Sequence, residues 1–203
     1  MSTVFYRAQA LETIARRTLN EYDITYLNGS PRAVPIETII EKTFGLRIEY
    51  QYLTNNAREL GRMIYDSGIT TYFDREKMDY ALMRVEGGTM LIEASLLEDE
   101  KSYGRLRFTL AHELAHYIIH KRIFSGTGFA AALYNNDTDE YATEWQANYL
   151  AKAILMPNGQ IKRCFYALRP VCKTKSEYVY KMAEIFEVSK QAMEIRLKDF
   201  ALI

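Results

Sequence analysis

The stretch Arg107-Phe-Thr-Leu-Ala-His-Glu-Leu-Ala-His-Tyr-Ile-Ile-His120 decides how the rest of the chain is read. Within it, His112-Glu113-Leu-Ala-His116 places two histidines four positions apart, with a glutamate directly after the first. On an α-helix such a pair is separated by about 40° of rotation and about 6 Å of rise, so both imidazoles leave one face. Two rings so placed can converge on one metal ion at roughly 2.0–2.1 Å. Glu113 leaves from an adjoining face, where it can take a proton from an attacking water instead of binding the ion. The flanks predict the helix on which this geometry depends. Leu110, Leu114, Tyr117 and Ile118 form an apolar stripe, and neither proline nor glycine interrupts Leu106 to Arg122. All three histidines of the chain fall between 112 and 120, a clustering that surface decoration does not explain. His120 is eight residues from His112, about 12 Å along the axis, too far to share its ion. A supporting, capping or surface role is expected for it.

A catalytic centre of this kind needs a third protein donor and one open position. The segment Asp137-Thr-Asp-Glu-Tyr-Ala-Thr-Glu-Trp-Gln-Ala-Asn-Tyr-Leu-Ala-Lys-Ala-Ile-Leu-Met-Pro157 offers one on a second helix, which Pro157 stops or follows with a new turn. Glu140 and Glu144 are four apart on it, so both can face the ion, and spacing leaves the choice between them open. Asn148, one turn further, is placed to hydrogen-bond a ligand from behind.

The remainder of the chain predicts an α+β fold. A helix is expected from about Val4 to Tyr22, then a turn-rich connector, Leu27 to Pro35, and a short helix from Ile36 to Phe44 ended by Gly45. Leu46 to Leu53 alternates like a strand. Two hairpins are expected after it, one turning at Asp66-Ser67-Gly68 and the other at Glu86-Gly87-Gly88, giving a small antiparallel sheet. From about Tyr103 the pattern is helical, near 104–122, 138–156, 175–187 and 189–199. Between the first two of these, Ser125 to Asp137 is a glycine-bearing connector beside the histidine helix. The expected organisation is an N-terminal helix and connector over 1–34, a metal-binding domain over 35–160, and a helical C-terminal extension over 161–203 packed on it.

Composition narrows the function classes. Among 203 residues, Lys plus Arg and Asp plus Glu number 26 each, so the chain as a whole carries no electrostatic case for nucleic acid. No run of about 18 apolar residues exists to span a bilayer. The N-terminus lacks the charged start, apolar run and cleavage site of a signal peptide, and Cys164 and Cys172 are not spaced as CxxC. A cytoplasmic protein with reduced thiols is expected.

Three segments together resemble the ImmA/IrrE family of bacterial and phage metallopeptidases. They are Arg105 to His120, Glu144 to Pro157, and the ending Phe186-Glu-Val-Ser-Lys-Gln-Ala-Met-Glu-Ile-Arg-Leu197. The resemblance covers roughly residues 35 to 203, with Ala115 where the family often has glycine and Lys152 where a small residue is usual. It implies a zincin-like catalytic helix bundle holding Zn2+ through His112, His116 and Glu144, with Glu113 as catalytic acid and base and with Glu140 and Asn148 in support. It also implies an endopeptidase whose protein partner is a helix-turn-helix repressor, cut to release mobile-element or stress genes. The competing reading is a repressor- or DNA-binding regulator with a structural or vestigial zinc site. Its only local support is the segment Val188 to Asp199, for which packing through Ala192, Met193, Ile195 and Leu197 is the expected role.

Overall fold

The computed structural model describes residues 5–124 and 137–203, the side chains of 122–124 and 137–140 excepted. The expected connector over 125–136 lies outside the described residues, as do Val4 and the Glu140 side chain. The architecture is α+β. Helix α1 (Ala8–Asp23) and the single turn α2 (Thr25–Asn28) lead to α3 (Ile36–Thr38). The chain then widens into a π-helical turn, Ile39–Thr43, and Gly45 ends it at φ +64°, the left-handed conformation for which the sequence placed a glycine there. Five strands follow: β1 (Arg47–Gln51), β2 (Gly61–Ile64), β3 (Gly68–Asp74), β4 (Asp79–Val85) and β5 (Thr89–Glu93). The second half holds α4 (Tyr103–Phe124), α5 (Asp137–Leu155), α6 (Asn158–Ala167), α7 (Lys175–Phe186) and α8 (Lys190–Asp199).

The strands pair differently from the two expected hairpins. β3 pairs with β4 and β2 with β5, both antiparallel, and the paired residue numbers keep one register from Asp74↔Asp79 through Gly68↔Val85 to Gly61↔Ile92. The four strands are thus one long ribbon bent in the middle. The segments read as turns, Asp66-Ser67-Gly68 and Glu86-Gly87-Gly88, are the bend. They carry turn composition because their backbones meet there: a Cβ on Gly87 would lie 2.7 Å from the Tyr65 carbonyl oxygen, and Gly88 has φ +80°. The true tip is Arg75-Glu-Lys-Met78, free of glycine and proline. The Asp74 carboxylate closes it by accepting the backbone N–H groups of Glu76 and Lys77, and Met78 takes φ +53°. A second correction concerns β1, which joins the other edge of β5 in parallel, so the three-stranded sheet, in the order β1-β5-β2, is mixed. Parallel pairing needs a long crossover, and the whole ribbon between β1 and β5 provides it.

The central strand β5 is buried throughout, and its alternation assigns its two faces to two cores. Met90 and Ile92 join the main core with Leu110, Leu114, Leu150 and Ile154, while Leu91 packs with Leu53, Ile64 and Val85 under the bent half of the ribbon. Helix α4 lies on the first face, and α5 lies against α4. Helix α8 buries Met193 and Leu197 and leaves Ile195 41% exposed. Its Arg196 is fully buried, donating to the Met156 carbonyl at 3.0 Å and pairing with Glu12 of α1 at 2.7 Å. Cys164 and Cys172 are buried free thiols. Among the described residues, no helix is long and apolar enough to cross a membrane.

Candidate metal centre

Helix α4 carries the histidines as the period of the sequence requires, and among the described residues α5 brings Glu144 to them. The His112 and His116 Nε2 atoms lie 3.0 Å apart. The Glu144 carboxylate reaches His116 Nε2 at 3.1 Å and His112 Nε2 at 3.4 Å. Tetrahedral donors at 2.0–2.1 Å from one ion stand about 3.3 Å from each other. The three donors therefore fit a single small divalent ion with little movement.

The hydrogen bonds behind the rings supply an independent reason. His112 Nδ1 is 3.1 Å from the Asn148 amide oxygen, which can only accept, so Nδ1 carries the proton and Nε2 presents a lone pair to the centre. His116 Nδ1 is 3.0 Å from His120 Nδ1. Burial, reinforced by the neighbouring His116, pushes the His120 imidazole down to about 3, so it stays neutral and can accept the His116 proton. Two nitrogen lone pairs and a carboxylate then face one another with no proton between them, and a cation reconciles them. With protons alone to serve, burial opposes a charge on His112, yet Glu144 and Glu113 lift its pKa. Where protons stand in for a cation on the Nε2 atoms, hydrogen bonds from His112 and then His116 hold the Glu144 carboxyl well below the usual carboxylate range.

Glu113 sits apart from the donors. Its residue is 7% exposed, and burial raises its pKa against the pull of His116 and His112. Strand β2 passes directly over it. A Cβ on Gly61 would meet Glu113 Cγ and Oε1 at 2.8 Å and Thr109 Cγ2 at 2.9 Å. No pattern within α4 announces Gly61. Its signal is a glycine at the start of a strand, a mark of close backbone approach. The cavity at the centre is about 440 Å³, bounded by Leu60 and Gly61 on one side and by Phe108, Asn148 and the donors on the other. Neither Tyr117 nor Tyr141, the tyrosines nearest in sequence, lines it. The Tyr117 hydroxyl accepts from Lys121 at 2.8 Å, and Tyr141 is 75% exposed.

Fold and donor set together make a group that could hold a metal ion: a histidine pair on one helix, a carboxylate on the next, and a buried glutamate beside them. The particular family follows from comparison. The model of the peptidase M78 family, the IrrE N-terminal-like domain, matches residues 66–198, well over half of the chain, and the chain belongs to that family of metallopeptidases. No curated protein matches it significantly. A solved structure described as a Mycobacterium tuberculosis transcriptional regulator superposes over 93% of this chain with a TM-score of 0.54 and 14% identity. That likeness is one of fold, and this chain covers 55% of the regulator's length.

Proposed function

We propose that the protein is a zinc-dependent endopeptidase of the HExxH type, with His112, His116 and Glu144 as ligands and Glu113 as general base and acid. The observation that carries this reading is the convergence of His112, His116 and Glu144 beside a buried glutamate. Nitrogen and carboxylate donors in a three-residue set suit zinc, with the fourth position left for a reactant. Zinc, when bound there, supplies the Lewis acidity that activates a water and polarises the scissile carbonyl. Glu113 accepts the proton of the attacking water and delivers it to the leaving amine, a task matched by its raised pKa. Asn148 and His120 fix the two rings by hydrogen bonds to their outer nitrogens.

A peptide suits the cavity better than a small molecule. Among the described residues, β2 is an edge strand. Glu93 N–H donates to the Leu60 carbonyl, so residues in phase with Leu60 turn their backbone groups to β5, while Gly61 and Met63 turn theirs to the open edge. An extended chain can add there beside the donors. We take the substrate to be a helix-turn-helix repressor and the setting to be the cytoplasm. Membership of the IrrE-like family and the likeness to a transcriptional regulator both support a regulatory role.

The test is metal content first, then cleavage. About one zinc per chain is expected in the protein as purified, and sharply less in His116→Ala and Glu144→Ala. The zinc form should then cut a helix-turn-helix repressor encoded beside it, and Glu113→Gln should not. Failure to retain zinc even when supplied would move the regulator reading, with no catalytic centre, to first place.

A further inference from the structure

Two cavities meet on the exposed face of α4. The metal cavity ends at Phe108 and Asn148, and a second cavity of about 560 Å³ shares those two residues and continues between α4, α5 and α8. Arg105, Lys152, Ala192 and Ile195 form its walls. The junction is closely packed. A Cβ on Gly104 would come within 2.7 Å of the Ser189 backbone nitrogen, so the first turn of α4 lies directly on the cap of α8.

The charges along the combined groove do not cancel. Lys152 is neutralised by Asp199 at 2.7 Å and Glu59 by Arg62 at 2.6 Å, while Glu113 and Glu144 belong to the metal centre. Among the described residues, two exposed arginines, Arg58 and Arg105, line the groove with no acid within ion-pair distance. Both stand at the same end. β2 runs alongside α4 in the same direction, with Gly61 against Thr109 and Glu113 and Tyr65 stacked on Tyr117. Arg58, ahead of Gly61, therefore lies toward the Arg105 end.

We infer that this end of the groove is a subsite for an acidic segment of the polypeptide substrate, with a carboxylate on Arg105 and an aliphatic neighbour resting on Ile195. The inference rests on the peptidase reading above and names the kind of sequence that site accepts. Arg105 precedes His112 by seven residues, about 10 Å along α4. An extended chain advances about 3.3 Å per residue, so the acidic residue falls about three positions from the scissile bond, always on the same side. A nucleic-acid backbone would call for a longer run of cations, and an apolar shelf would be idle beside it.

The test separates binding from cutting. The full-length Glu113→Gln protein, loaded with zinc, is titrated with fluorescent Gly/Ala/Leu dodecapeptides that carry either a single Glu or a single Lys. Exposed ion pairs are worth up to about fivefold each, so a preference for Glu of roughly threefold to tenfold is expected. Arg105→Glu should reverse it while the zinc content stays at the parent value. Equal binding of both peptides, a Glu preference that survives Arg105→Glu, or displacement of the Glu peptide by a single-stranded oligonucleotide would overturn the inference. Selective binding combined with failure of the zinc-loaded wild type to cut any helix-turn-helix repressor would sink the peptidase reading and leave the subsite standing.

Discussion

Gly61→Ala is the smallest change that reaches Glu113 without touching a metal donor. The added methyl would sit 2.8 Å from Glu113 Cγ and Oε1, and 2.9 Å from Thr109 Cγ2. That is about 0.7 Å inside the optimum separation of carbon atoms. Helix α4 is held by fully buried Leu110 and Leu114, so the glutamate side chain and the strand must share the displacement. A general base shifted by an appreciable part of an ångström loses most of its alignment; about 1 Å costs on the order of 100-fold. We therefore expect kcat on a cleaved peptide to fall by roughly 30- to 100-fold. Overpacking should also lower stability by about 1–3 kcal/mol, or about 2–12 °C in Tm for a chain of this size. The assay is steady-state hydrolysis with zinc measured on the same sample, since His112, His116 and Glu144 lie outside the clash. A zinc-replete Gly61→Ala enzyme within twofold of wild type would refute the reasoning, because Glu113 would then need no fixed position. Loss of zinc would refute it differently, by showing that the clash moves the helix.

Two further predictions concern the supports of the centre. Asn148→Ala removes the acceptor that holds His112 Nδ1–H and should weaken zinc binding by about 10- to 100-fold, read by competition with a chelator. Glu12→Ala strands the fully buried Arg196 guanidinium and should cost about 3 kcal/mol, a drop in Tm of roughly 6–12 °C. Arg196→Met, which removes the buried charge itself, should cost less, and calorimetry on the pair distinguishes charge from packing.

The helix with the metal donors was legible because every requirement for it is local: period, absence of breakers, and a four-residue spacing. Spacing left Glu140 and Glu144 alike, since they share a helical face, and the preference for Glu144 came from the family resemblance. The wall beside Glu113 was not legible, because Gly61 and Glu113 are brought together by the sheet and not by sequence. The ribbon was misread for a related reason. Turn composition marks any place where backbones crowd, and here glycine serves a bend while an aspartate side chain shapes the tip. Helix α6 also escaped notice, although Ile161, Cys164 and Phe165 bury one face of it at helical spacing. In sequence Pro157 reads as stopping α5 or beginning a new turn, and the same proline in fact begins α6 as its N-cap.

The unbroken register of the bent ribbon makes the turn at its tip responsible for an event far away. Hairpins zip from their turns in microseconds, and each pair formed fixes the next. A slip of one residue at Arg75–Met78 would pass along both halves of the ribbon and exchange their faces. Leu60 or Arg62 would then arrive opposite Glu113, where only a residue without a side chain fits. Asp74 and the left-handed Met78 thus help set, at the tip, which backbone atom Glu113 meets.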